Sequence, residues 1–228
     1  MEDLLLARPG YLSLLLHGLA VTARLFAVSW VAALVVACLL TAIRATTSKL
    51  AQRTVALVVE YHRNVPGLVQ IFVWYFGVPQ LLPRDWQRWI NRNDGEFLMA
   101  AIALTLYAAA YMSEDLRSGL RSVSSGQSQA ARSLGFTYTQ TMRFILLPQA
   151  LRNALPALVN QTLALFKATS LAMMIGVAEL MHAVRQMENE TYRTFEAFLI
   201  ASGCYLAISY LLIYAGSVAS RRVAAAKR

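Results

Sequence analysis

The stretch LSLLLHGLAVTARLFAVSWVAALVVACLLTAI, residues Leu12 to Ile43, decides what kind of protein this is. A helix rises 1.5 Å per residue, so about 20 apolar residues cross the hydrocarbon of a bilayer, and this run exceeds that length. It ends at Arg44, with Lys49 and Arg53 close behind. A secretory signal would open on basic residues and carry a shorter apolar core. Here Glu2 and Asp3 open the chain, so the run is expected to be a retained membrane span.

Four further apolar runs follow, at about residues 54–82, 96–112, 151–177 and 198–219. Together with residues 12–43 they predict an all-α membrane protein of about five transmembrane helices, in one transmembrane domain covering 1–228. Composition agrees: 57% of the residues are hydrophobic and 14% charged, with a mean hydropathy of +0.48. A water-soluble surface would need more polar residues than this. Cys38 and Cys204 both lie inside apolar runs and read as small buried hydrophobes.

Charge sets the expected orientation. The loop with Arg44, Lys49 and Arg53, the stretch with Arg117, Arg121, Arg132, Arg143 and Arg152, and the tail with Arg221, Arg222, Lys227 and Arg228 are basic with few acids. The segments 84–96 and 179–196 carry Asp85, Asp94, Glu96, Glu179, Glu188, Glu190 and Glu196. By the positive-inside rule the first group is cytoplasmic, which puts the N-terminus outside and the C-terminus inside. Trp86 and Trp89 suit an interfacial belt at the outer side. The net charge of +9 therefore fits lipid headgroups and cytoplasmic loops. Basic and aromatic residues are not interleaved in the manner of a nucleic-acid surface.

Several chemistries lack their residues. The sequence has no G-x-x-x-x-G-K-[ST] loop, so this chain cannot hold ATP in that way, and no cofactor is expected in it. His17, His62 and His182 have no ligand spacing with cysteines or carboxylates. Ser113 beside Glu114 has no histidine base, so the chain is not expected to be an enzyme.

Polar groups inside the runs are informative, because a charge at bilayer depth costs about 2.5–3.5 kcal/mol on insertion scales. Glu60 and Arg63 are three residues apart and can pair on a helix. Alternatively Arg63 and Asn64 face a translocation path, beside a carbonyl freed by Pro66. In the fourth run Asn160 and Lys167 lie two turns apart on one face, with Gln161, Thr169 and Ser170 near them. This stripe either lines a cavity or bonds to a neighbouring helix. A lysine there would attract a carboxylate.

The long polar connection, about residues 113–150, contains GQSQAARSLGFTYTQTMRFILLP from Gly126 to Pro148. Helix-forming residues 127–134 end at Gly135, a second helix is expected over about 137–147, and Pro148 punctuates before the fourth span. The pair forms a hairpin against the membrane, and small Ala130 and Ala131 let another surface approach.

The order Ala130, Ala131, Gly135, Ile145, Leu147, Pro148 resembles the signature loop of ABC importer permeases. Tyr111, Ser113, Glu114, Arg117, Gly119, Gly126 and Gln127 resemble the polar amino-acid branch of that family. Arg63-Asn64-Val65-Pro66 and the aromatic run Phe72 to Phe76 look most like glutamate/aspartate permeases. The loop departs from many relatives in having Gln129 for glutamate, which keeps hydrogen bonding but removes an ion pair. Gln161 likewise stands where many have glutamate, which removes an anion that would welcome a cationic substrate.

The resemblance implies a type I ABC importer permease fold in a bacterial inner membrane. It implies that Gln129, Ala130, Ala131, Arg132, Ser133, Leu134 and Gly135 form a coupling helix docking into a cytoplasmic ATPase dimer. It also implies a second permease subunit, the same chain or a sister chain, and an extracytoplasmic substrate-binding protein. Arg63, Asn64, Pro66, Asn160, Gln161, Lys167, Thr169 and Ser170 are the expected substrate path. Glutamate or aspartate is the expected cargo; glutamine, histidine or arginine is the alternative. A self-contained carrier or channel would instead need its own coupling-ion site and usually inverted repeats, and none is visible; a membrane enzyme or assembly scaffold would need a catalytic constellation or a membrane complex without substrate flux.

Overall fold

A computed structural model describes residue 5 and residues 8–225. The described residues contain no strand. Helix α1 (Tyr11–Arg44) is followed by α2 (Lys49–Asn64), α3 (Gly67–Phe72), a π turn at Val73–Gly77 and a 3₁₀ turn at Val78–Leu81. Next come α4 (Arg84–Arg92), α5 (Gly95–Arg121), α6 (Ser125–Ser133) and α7 (Tyr138–Thr141). A π turn at Met142–Leu146 leads into α8 (Leu147–Ala168) and a 3₁₀ turn at Thr169–Ile175; α9 (Leu180–Thr191) and α10 (Thr194–Ala225) complete the described chain. The helices Tyr11–Arg44, Gly95–Arg121, Tyr138–Ile175 and Thr194–Arg221 are each long and apolar enough to span a membrane. The remaining expected span is the one built in pieces, from α2 to Leu81.

Helix α5 is the centre. In its most apolar stretch 67% is buried inside the chain, against 17% for α1 and 11% for α10, so the latter two keep most of their apolar surface for lipid or another subunit. Its buried side chains are mostly small: Ala100, Ala101, Ala103, Ala108, Ala109 and Ala110. Small side chains let backbones approach in a membrane, where packing replaces the hydrophobic drive. Helix α1 runs parallel to α5. Ser29 Oγ donates to the Ala101 carbonyl at 3.5 Å and Thr41 Oγ1 to the Ser113 carbonyl at 3.2 Å, one constant register along both helices. Opposite α1, a Cβ on Gly119 would fall 2.8 Å from the Ala154 Cβ and closer still to the Ala150 carbonyl oxygen, so α8 crosses α5 almost backbone to backbone.

Two boundaries differ from the sequence expectation, for physical reasons. Helix α5 continues to Arg121 through residues expected in a loop, and Glu114 there is satisfied on both sides: Arg44 pairs with it, and Arg117 lies 3.6 Å from its other oxygen. Pro148 does not end a helix either. The expected second arm of the hairpin runs straight on into the fourth span, one stack from Tyr138 to Ile175. The widened π turn just before Pro148 absorbs its missing N–H, and proline is tolerated in the first turn of α8.

The α5–α8 crossing makes a direct prediction. Gly119→Val should destabilise the purified chain by the about 1–3 kcal/mol typical of overpacking, read as a lower thermal midpoint in detergent. Gly203→Ala, whose Cβ meets nothing within 4 Å, should leave it unchanged or raise it.

Candidate functional site

The second span breaks where its sequence requires. Val65 precedes a proline and is held extended (φ −92, ψ 130), so α2 stops at Asn64. A break inside a membrane frees carbonyls that have no water to meet, and here side chains meet them. Gln70 Nε2 donates to the carbonyls of His62 at 2.8 Å and Val65 at 2.7 Å, while Gln70 Oε1 lies 2.6 Å from His62 Nδ1. Tyr111 Oη of α5 donates to the Arg63 carbonyl at 2.9 Å. Gln70 is 1% exposed. Beyond the break α3 packs on the 3₁₀ turn Thr169–Ile175, and Gly67 sits against the ring of Tyr107 and the side chain of Leu171.

The expected path residues divide into two kinds. Arg63 and Asn64 are exposed in the last turn of α2, as is Pro66 after it. Among the described residues Arg63 makes no ion pair with Glu60; its guanidinium lies 5.5 Å from the centre of the Tyr111 ring. The Asn64 amide donates to the Glu60 carbonyl at 2.8 Å. On α8, Asn160 and Lys167 share an open face and Gln161 is half-buried. Thr169 is buried with its hydroxyl on the Phe166 carbonyl at 2.6 Å, and Ser170 donates to the Lys167 carbonyl at 2.8 Å. The helix break and the end of α8 are therefore adjacent. The groups in them not spent on their own backbone are the Arg63, Lys167, Asn160 and Gln161 side chains.

The loop residues form one exposed turn. Ser124 caps α6, accepting from the Gly126 N–H at 3.3 Å. Gly135 adopts φ +80, which favours glycine. The Phe136 N–H reaches back to the Ala131 carbonyl at 3.0 Å and the Gly135 N–H to that of Arg132 at 3.0 Å, a Schellman-like close. Ala131 is buried against the chain itself; Gln129, Ala130, Arg132, Ser133 and Gly135 are exposed, and Leu134 is 76% exposed. So of the two alanines only Ala130 offers itself to another surface.

Three residues escaped the sequence reading. Arg24 sits within the first apolar run and lies 4.5 Å over the Phe97 ring; as a cation amid apolar residues it was visible. Gln70 carries the repair just described. Glu179, expected in an outward polar segment, is fully buried at the α1–α9–α10 junction. It caps α9 through the His182 N–H at 2.9 Å and accepts from Tyr205 Oη at 3.2 Å and Thr22 Oγ1 at 3.3 Å. Burial pushes its carboxyl above the usual range, and these donors and the Met181 N–H oppose that rise without cancelling it. Gly18 permits this junction, since a Cβ there would lie 2.9 Å from the Ala183 Cβ.

A broken span sealed against a central helix, in a bundle with apolar outer faces and a projecting short helix, defines a multi-pass membrane protein. The family model "Binding-protein-dependent transport system inner membrane component" matches residues 4–225, and the chain belongs to that family of inner-membrane transport components. It is 35% identical over 201 residues to the probable amino-acid ABC transporter permease protein PatM of Vibrio harveyi, covering 88% of this chain and 87% of that protein. It is 31% identical over 209 residues to the arginine transport system permease protein ArtQ of Bacillus subtilis, covering 92% of each. It is 29% identical over 217 residues to the glutamate/aspartate import permease protein GltJ of Escherichia coli K12, covering 93% of this chain and 88% of that protein. Among solved structures, one described as the crystal structure of an amino acid ABC transporter with histidines superimposes with a TM-score of 0.82 at 28% identity, covering 93% of this chain and 95% of that one. The helical permease fold expected from the resemblance is the fold observed.

The sealed break predicts a specific sensitivity. Gln70→Leu leaves the buried His62 carbonyl and ring and the part-buried Val65 carbonyl without these partners, at about 1–3 kcal/mol for each unsatisfied buried group. It should lower the thermal midpoint in detergent far more than Gln80→Leu, which removes only an exposed bond to the Phe76 carbonyl.

Proposed function

We propose that this chain is the membrane-spanning permease subunit of an ATP-driven, binding-protein-dependent amino-acid importer. The observation that carries the reading is α6: in a chain of this family, a short helix projects from the bundle with Gln129, Ala130, Arg132, Ser133 and Leu134 outward and is closed by left-handed Gly135. An exposed leucine on a rigid, capped turn suits a cleft in a partner protein better than open water. ATP hydrolysis belongs to a separate ATPase dimer, into which residues 129–135 dock. A second permease subunit covers the apolar faces left open on this one, and an extracytoplasmic binding protein delivers the cargo. The basic loops face the cytoplasm, with the N-terminus outside and the C-terminus inside.

Transport proceeds by alternating access. Closure of the ATPase moves α6, which continues through Gly135 into the long α7–α8 stack, so a shift at the ATPase reaches the end of α8 along one column. There Lys167, Asn160 and Gln161 stand on or near an open face, and Arg63 stands at the helix break. Two cations near the path, with no glutamate at position 161, favour a substrate bearing an extra carboxylate, so glutamate or aspartate is the proposed cargo.

Uptake of radiolabelled glutamate, aspartate, glutamine and arginine into vesicles holding the chain with its ATPase and binding protein tests this. Leu134→Asp should cut ATP-driven uptake at least tenfold without changing the thermal midpoint. Lys167→Ala should weaken uptake of the acidic amino acids. Preferred arginine uptake would leave the importer standing and overturn the acidic cargo; ATP-independent uptake indifferent to Leu134→Asp would overturn the importer.

A further inference from the structure

Between the start of α6, α8 and the end of α10 lies a second polar region, a cavity of about 410 Å³. Its polar lining includes Ser124, Gln127, Gln149, Arg152, Asn153 and Ser220. Among the described residues no carboxylate lines it, and the half-buried Arg152 guanidinium has neither an ion-pair nor a hydrogen-bond partner.

Most other donors in the wall are already committed. The Asn153 amide donates to Ser122 Oγ at 2.8 Å, the Gln149 amide to the Ile145 carbonyl at 2.9 Å and the Ser220 hydroxyl to the Gly216 carbonyl at 2.9 Å. What remains is the Arg152 fork, the Gln127 amide, the Ser124 hydroxyl and the positive end of α6. A guanidinium presents paired N–H groups that match a tetrahedral oxyanion, and a half-buried cation gains most from an anion that replaces its lost hydration. The N-terminus of a helix adds to the same polarity.

Depth narrows the choice of anion. Ser122, which caps the end of α5, lies eight residues past Glu114, about 12 Å further along the helix axis, and Glu114 is tied to Arg44 at the end of α1. The cavity therefore stands at or just past the edge of the bilayer, within reach of lipid phosphates and dissolved ones.

We propose that this cavity binds a phosphate-type oxyanion, held by Arg152 and Gln127. The anion joins α5, α6, α8 and α10 at one point, and so braces the root of the projecting α6 helix. Its source is either the headgroup of an anionic phospholipid or free phosphate.

The test uses the full chain purified in detergent. Inorganic phosphate is titrated against chloride at matched ionic strength while the thermal midpoint is followed. In parallel, native mass spectrometry counts retained phosphatidylglycerol against phosphatidylcholine. Wild-type protein should bind phosphate, phosphatidylglycerol or both, with Arg152→Gln and Gln127→Glu each weakening that binding at least tenfold and Arg152→Lys keeping part of it. Binding of phosphatidylglycerol alone assigns the site to lipid, and binding of inorganic phosphate alone assigns it to the solvent side. Should Arg152→Gln fail to fold, Gln127→Glu decides, since it places a carboxylate in the cavity from a surface position. Absence of binding by both ligands, or binding unchanged in the folded variants, overturns the proposal. So does a wild-type chain that binds neither ligand but needs Arg152 to hold its ATPase, which would make the cavity a protein contact.

Discussion

The bundle depends on how closely its helices can approach α5. That helix is lined by alanines on its buried sides, and it receives α1, α2, α3 and α8 together. In hydrocarbon no water is released when apolar side chains meet, so helices hold together through contact area and short polar bonds. Ser29 and Thr41 bond across to α5 carbonyls, and Gly119 lets the α8 backbone touch it. Larger side chains at these points would part the helices and lose both kinds of contact.

The same central helix supports the irregular parts. Tyr107 and Tyr111 project from α5 toward the break in the second span, one against Gly67 and the other bonding to the Arg63 carbonyl. A proline in a membrane helix needs such support, because the carbonyls it leaves unpaired have no solvent. Glu179 follows the same logic at the other end: a carboxylate can be buried between α1, α9 and α10 because a helix N-terminus and two hydroxyls surround it.

Much of this was legible in the sequence. The apolar lengths, the break at Pro66 and the stop at Gly135 are local properties of chain chemistry, and each appears where the residues require. One boundary that moved was settled by a distant partner and the other by local backbone geometry. Residues 113–121 look like loop until Arg44 is brought to Glu114, and Pro148 looks like a stop until a π turn makes room for it. Gln70 reads as an unremarkable polar residue in an apolar run, because its three partners meet only after the chain has bent. Thr169 and Ser170 sit in the expected stripe, but their hydroxyls turn back to their own helix, a choice made by side-chain rotation that spacing alone does not reveal.

The stitched elbow at Pro66 also has a mechanical consequence. A helix interrupted by proline is commonly pictured as a pivot, soft because its ladder is cut. In this chain every loose end described at the cut is knotted by Gln70 or Tyr111, so α2 and α3 meet as a welded corner fastened to α5. Swinging one half against the other requires breaking several bonds at once. A force applied to this corner would be shared with α5 for as long as those bonds hold.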